Sequence, residues 1–362
     1  MELTEEQQRL LQQAEMIRMQ QQQAEQEQER PSFFPTDPDY GKGDKPLVGI
    51  VGHGFVGKAV ERSFNENIER FLVDPNYKTN IDQLIEQEPA LCFVCTPTPV
   101  LNNGRIDAAV TIDAVLKLIR LTKSAVVLKS TVTPDVIDKI CRSVEGAEAA
   151  SRFIYSPEFL TEKNADHEFC NPEYMVLGGL PDSTQQLMEF YRSNTYMKFP
   201  NDPNKITTCH PVEASFIKYA INTFLAMKVT FFNQLYKAME DETLSVNPME
   251  VIKALSHEPR LGSTHWRVPG PDGKRGFGGA CFPKDLSAFI NYSDKMTLLE
   301  SVQEINKELR SEYELDEREK VANVRFKEED VEIVSNDIDE VLNEEDVLDT
   351  TGQIDMFDED AA

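Results

Sequence analysis

The chain has 362 residues, 63 of them acidic and 37 basic, for a formal net charge of −26. The length allows two ordinary domains plus tails. The charge speaks against nucleic-acid binding, which wants a basic surface, and no apolar run is long enough to span a bilayer. Residues 311–362 carry 20 acids against 4 bases and residues 1–45 carry 10 against 5, so the acidity belongs to the ends. Six cysteines without framework spacing fit a reducing compartment. The opening MELTEEQQRL is the opposite of a signal peptide, and the expected location is the cytoplasm.

Residues 1–30 are mostly glutamine and glutamate. Leu3, Leu10, Ile17 and Ala24 fall at heptad spacing, but the second seam is polar, which predicts a weak helix or a disordered arm. The proline- and glycine-rich stretch 31–46 reads as a linker. Then LVGIVGHGFVG, Leu47–Gly57, runs an apolar strand into Gly52, Gly54 and Gly57 at G-x-G-x-x-G spacing, with a helix to follow. A second apolar run, ERFLVDP, ends in Asp74 about twenty residues further on, as a dinucleotide fingerprint requires. Gly52 makes the tight turn, Gly54 admits a pyrophosphate to the backbone, and Gly57 lets helix and strand pack closely. Asp74 would accept from the adenosine ribose and repel a 2′-phosphate, so the expected cofactor is NAD.

From 47 to about 179 strands alternate with helices, the pattern of a parallel sheet covered on both faces. The strands include ALCFVCTP, SAVVLKST, RFIYSPEFL and EYMVLGG; the helices include AAVTIDAVLKLIRL and TPDVIDKICRSV, the latter starting at Pro134. Cys92 and Cys95 point to opposite faces of one strand, so no metal or redox pair is expected there. Strand ends carry Thr96, Pro97 and Thr98, then Ser130 and Thr131, then Glu158 and Glu162, where ligands of such sheets sit. Pro211 to about Glu242 reads as one long helix, apolar around most of its circumference, and a dimer partner is expected to cover part of it. Lys218 and Asn222 stand one turn apart on it. Beyond a last helical stretch, the acidic sequence to Ala362 is expected to be disordered or to fold on a partner.

Gly276–Asp285, GFGGACFPKD, places Cys281 between a glycine turn and Pro283, hence at a helix N-terminus, where partial positive charge and free N–H groups favour a thiolate. Lys284 and Asp285 add charge beside it. A buried cysteine in a tight turn is the alternative reading. The glycines favour the reactive one, since they let a ligand approach the backbone.

GHGFVG, TPTP, LKSTV, SPEFLTE, EASFIKYAIN, PRLG and GFGGACFPKD occur in the order seen in UDP-glucose dehydrogenases. Over about residues 47–310 the chain resembles the UDP-glucose/GDP-mannose dehydrogenase family, and the PKD after the cysteine looks like its UDP-glucose and GDP-mannose branches. The resemblance implies a four-electron oxidation of the sugar C6 hydroxyl to a carboxylate with two NAD. In it Cys281 traps the aldehyde, Lys218 and Asn222 stabilise the oxyanion, Thr131 and Asp285 hold a water, and Glu158 or Glu162 takes its proton. It further assigns Phe55, Val56, Thr96, Pro97, Thr98, Thr131, Glu162 and Lys284, with the three glycines and Asp74, to the cofactor. Lys218, Asn222, Arg260, Phe277 and Gly278 go to the nucleotide sugar, Arg260 reaching across a dimer.

Three departures stand out: the family's third domain is replaced by the acidic tail, the segment between Asp74 and TPTP is short, and Tyr174 replaces a common arginine. The expected organisation is an arm at 1–45, a Rossmann domain at 46–210, a helical domain with the cysteine at 211–315 and a disordered tail at 316–362. A GDP-mannose dehydrogenase and an inactive NAD-binding interaction protein are the alternatives. A β-hydroxyacid dehydrogenase is disfavoured because it needs no thiol.

Overall fold

The apolar segment Leu47–Val51 forms β1, and the computed structural model, which describes residues 32–35, 45–144, 146–161, 164–240 and 245–327, places six more strands in the same sheet. In chain order α1 (Phe55–Ser63), β2 (Glu69–Val73), α2 (Ile81–Ile85), β3 (Leu91–Val94), α3 (Ala109–Leu121) and β4 (Ala125–Leu128) follow. Next come α4 (Pro134–Ser143), α5 (Ala147–Ser151), β5 (Phe153–Tyr155), α6 (Ala165–Cys170), β6 (Met175–Gly178), α7 (Pro181–Asn194) and β7 (Ile206–Cys209). The helical remainder is α8 (Pro211–Met239), α9 (Pro248–Leu255), α10 (Phe282–Tyr292), α11 (Thr297–Arg310) and α12 (Glu317–Val321).

The sheet order is β2-β1-β3-β4-β5-β6-β7. β3, β4, β5 and β6 are buried along their whole length, which is why their sequences are apolar without alternation. The first five strands are parallel, as expected, but β6 meets β5 antiparallel at Tyr155↔Gly178, and β7 runs parallel to β6. The sheet is therefore mixed. α7, β7 and α9 had no counterpart in the sequence reading, and RFIYSPEFL is strand only over its first apolar residues.

The chain divides into two compact units, and the division differs from the linear domains expected. One comprises residues up to 96, 114–130 and 137–214; the other comprises 97–113, 131–136 and 215 onward. The loops after β3 and β4 thus belong with the helices. Their own bonds show why: Thr98 Oγ1 donates to the Thr131 carbonyl, Ser215 Oγ to that of Val132, and Ser287 Oγ to that of Gly104.

Both ends of the folded region extend past the expected boundaries. Phe33, within the supposed linker, is completely buried in the sheet unit's core, its N–H donating to Gln186 Oε1 at 3.2 Å. Residues 316–327, assigned to the disordered tail, contain α12 and an apolar cluster of Ala322, Val324 and Phe326. An Asp316 capping box with Glu319 starts that helix. The rest of the arm and tail lies outside the described residues.

Removing the Phe33 ring leaves a cavity in the sheet unit. Phe33→Ala is expected to cost about 3–5 kcal/mol, measured by urea unfolding; a loss below about 1 kcal/mol would show that residues 32–35 are not anchored.

Candidate active site

In the sheet unit β1 ends at the glycine turn. Gly52 has φ +89°, and a Cβ there would lie 2.7 Å from the Cys95 carbonyl oxygen, so only glycine fits. A Cβ at Gly57 would lie 2.1 Å from the Gly52 oxygen, which explains the close seating of α1 on the turn. At Gly54, by contrast, a Cβ would meet nothing within 4 Å. The backbone is open there, at the N-cap of α1, where a pyrophosphate would be received. Phe55 and Val56 form the first turn, Phe55 exposed and Val56 half-buried.

Asp74, just past β2, accepts from His53 N–H at 2.8 Å and Asn76 N–H at 3.0 Å. Partial burial pushes its carboxyl up, but these donors outweigh it and hold the carboxyl below the ordinary value. His53, the variable residue inside the glycine fingerprint, bridges Tyr77 Oη (2.8 Å) and Glu61 Oε2 (2.9 Å). That network was not anticipated; a histidine between two fingerprint glycines was its only sequence signal.

In the helical unit Cys281 is the N-cap residue of α10, with proline in the first turn, as the sequence predicted. It is half-buried. Burial pushes the other five thiols up: Cys92 and Cys95 to about 12, Cys141 and Cys209 to about 11, and Cys170 in the same direction. Asp285, 1% exposed, spends one oxygen on Asn222 Nδ2 and the other on Lys284 Nζ, both at 2.5 Å. Lys218 (5% exposed) and Asn222 (6%) sit one turn apart on α8. An amide, a lysine and a carboxylate are thus assembled at the first turn of α10, with Lys218 one turn before that amide on α8.

The remaining candidates separate by what they touch. Lys284, assigned to the cofactor, is ion-paired to Asp285. Thr96 Oγ1 is 3.3 Å from Ser130 Oγ, Thr98 is buried and spends its hydroxyl on Thr131, and Pro97 is exposed. Glu158 is buried in the sheet unit, whereas Glu162 lies outside the described residues. Arg260 is 87% exposed and paired to Glu258; its turn is tied to α8 by Lys228 Nζ, which donates to Leu261 and Thr264 carbonyls. Tyr174 Oη lies 3.2 Å from Thr207 Oγ1.

The glycines of GFGG need a correction. Gly276 and Gly278 are filled from inside the protein: a Cβ would lie 2.5 Å from Asn306 Oδ1 at Gly276, and 2.2 Å from Glu319 Oε1 at Gly278. Only Gly279 (φ +76°) has open space beside it. The Phe277 ring is buried, its backbone held by Asn306 at both N–H (2.7 Å) and C=O (2.9 Å).

The open turn at Gly54 and the acid after β2 define a dinucleotide-binding protein. The chain belongs to the UDP-glucose/GDP-mannose dehydrogenase family: residues 58–195 match its NAD binding domain and 212–308 its central domain. A UDP-glucose 6-dehydrogenase of Rickettsia felis is 28% identical over 69% of this chain and 59% of its own length. One from Rhizobium meliloti is 35% identical over 46% of this chain and 37% of its own. The chain spans between 44% and 65% of the Rickettsia relatives' lengths. The fold is shared with a UDP-glucose dehydrogenase of Pyrobaculum islandicum (TM-score 0.57, 22% identity, 77% of this chain and 70% of that one). It is shared too with a 3-hydroxyisobutyrate dehydrogenase of Mycobacterium tuberculosis (TM-score 0.55, 15% identity, 78% and 97%).

NAD is the cofactor of this family's first domain, and the open Gly54 and anchored Asp74 fit it. Asp74→Ala is expected to weaken NAD about tenfold, or ~1.4 kcal/mol, and to narrow its lead over NADP in a fluorescence titration. A depressed carboxyl keeps its charge as pH falls, so the wild-type preference for NAD should persist down to the ordinary aspartate value of 3.8 and fade below it. Equal wild-type affinity for both cofactors at pH 7 would remove Asp74 from the ribose site.

Proposed function

We propose that the protein is an NAD-dependent nucleotide-sugar 6-dehydrogenase that oxidises UDP-glucose to UDP-glucuronate through a thioester on Cys281. The supporting observation is the half-buried thiol at the N-terminus of α10, next to a buried carboxylate that is itself held by Asn222 and Lys284. Two NAD molecules, bound in succession at the Gly52–Gly57 turn, would each accept one hydride from C6, one per oxidation.

Lys218 is the candidate base for the C6 hydroxyl proton. The Cys281 thiolate adds to the resulting aldehyde carbonyl, and its oxygen gathers charge as the thiohemiacetal forms. Lys218 and the second N–H of the Asn222 amide are the donors for that oxygen. Hydride loss leaves a thioester, and water then adds its oxygen to the acyl carbon and releases the thiol. Thr131 with Asp285 would position the water, and Glu158 or Glu162 would take its proton. Burial of Asp285 keeps the array fixed, since a buried charge stays paired.

The active form is proposed to be a homodimer built on α8. Phe216, Phe224 and Phe231 are 42%, 59% and 59% exposed, and with the exposed Ala220 they repeat at helical spacing along one side of a 29-residue helix. A second copy offers the matching stripe. Arg260, turned outward, would then serve the neighbouring copy's nucleotide.

Cys281→Ser is expected to abolish carboxylate formation while NAD affinity stays within twofold. The readout is NADH production with UDP-glucose and GDP-mannose side by side; acid formed at the wild-type rate by the serine variant would sink the thioester route. For the dimer, Phe224→Glu with Phe231→Glu should convert the protein to monomer in sedimentation velocity. An unchanged sedimentation coefficient would place the interface elsewhere.

A further inference from the structure

The family match ends at residue 308, yet the described chain continues to 327 and that continuation packs under the cysteine loop. Glu319, on α12, is completely buried. Its Oε1 accepts from the Gly279 N–H at 3.0 Å and from Arg310 Nη2 at 2.8 Å; its Oε2 accepts from the Asp316 N–H at 2.8 Å. Arg310, 1% exposed, also pairs through Nη1 with Asp272 Oδ2 at 2.7 Å. Ala280 packs against the cluster of Ala322, Val324 and Phe326. Both residues immediately before Cys281 are therefore seated by the segment after 315, one through its N–H and one through its methyl group.

We infer that residues 316–326 position the nucleophile: Glu319, braced by Arg310, holds the Gly279 amide and so sets the entry of Cys281 into α10. This rests on the reading of Cys281 as the reactive thiol. Two observations show that the seat is specific to the loop. Gly278 has no room for a Cβ because the carboxylate and guanidinium occupy that space, so loop and ion pair fit each other. A buried, ion-paired carboxylate that spends one of its bonds on a loop N–H is also costly unless every lone pair is used, and here its bonds go to the loop, to Arg310 and to its own helix cap. Asn233 and Asn306 hold Gly276 and Phe277 further upstream; among the described residues, Glu319 is the one whose side chain bonds the residue two before the thiol. Glu319 is a positioning residue, since it acts through the backbone.

The test is Glu319→Ala in the full chain, read first by iodoacetamide alkylation of Cys281 at pH 7, followed on its own peptide by mass spectrometry. The expected result is at least fivefold slower alkylation of Cys281, because the thiol no longer sits squarely on the helix N-terminus. Alkylation of Cys141, Cys170 and Cys209 should be unchanged. NADH formation should fall at least tenfold in kcat with KM within threefold. Arg142→Ala, which removes an exposed pair with Asp138 on α4, should leave both readouts alone. An alkylation rate within twofold of wild type, or a faster one, overturns the proposal. If the alanine variant does not fold, Glu319→Asp keeps the charge opposite Arg310 but withdraws the acceptor from Gly279. It should slow alkylation at least twofold, and an unchanged rate overturns the proposal equally. A protein that turns over no nucleotide sugar yet shows the Glu319-dependent alkylation would fail the proposed function and keep this inference.

Discussion

Asp285 is the constraint on which the helical unit depends. A carboxylate 1% exposed is stable as an anion only if both oxygens are occupied, and its two partners come from different places: Asn222 from the middle of α8, Lys284 from the neighbouring position. The bond to Asn222 ties the first turn of α10 to α8. With that turn fixed, the thiol at its N-cap and the lysine one turn before Asn222 are brought into the same unit. Losing either partner would leave a buried charge exposed to its own desolvation cost, so the arrangement resists partial loosening. The same pairing of buried charges recurs at Arg310 and Glu319, 1% and 0% exposed, beneath the cysteine loop.

Much of this was legible in the sequence because the residues concerned have few other uses. A G-x-G-x-x-G after an apolar strand constrains backbone geometry locally, and Gly52 and Gly57 behave accordingly. A cysteine just before a proline-led helix is an N-cap by local rules alone. What local rules could not give is direction and distance along the chain. The reversal at β6 leaves no mark on MVLG, which is buried and apolar whichever way it runs. The pairing of Arg310 with Glu319 joins residues from separate helices, and in sequence both look like ordinary charges in an acidic stretch. Net charge steered the reading of that stretch toward disorder, although Leu315, Ala322, Val324 and Phe326 supply it with an apolar face.

The glycines of the cysteine loop show how one residue type can carry two physical reasons. Read alone, GFGG looks like a surface cleared for a ligand. Gly276 and Gly278 are instead cleared for the protein's own Asn306, Arg310 and Glu319, while Gly279 alone combines a positive φ with open space. The open space in this loop therefore lies on the Gly279 side, and the Phe277 side chain is buried.

The long helix α8 carries the last step. Its sequence is apolar almost all round, which by itself does not distinguish a helix enclosed by its own chain from one that keeps a face for another. Tyr219, Ala226 and Phe232 are buried on one side, whereas Phe224 and Phe231 are each 59% exposed on another. The polar residues Lys218 and Asn222 are both buried, and Asn222 bonds Asp285. One helix thus divides its circumference between buried polar residues and an exposed apolar stripe.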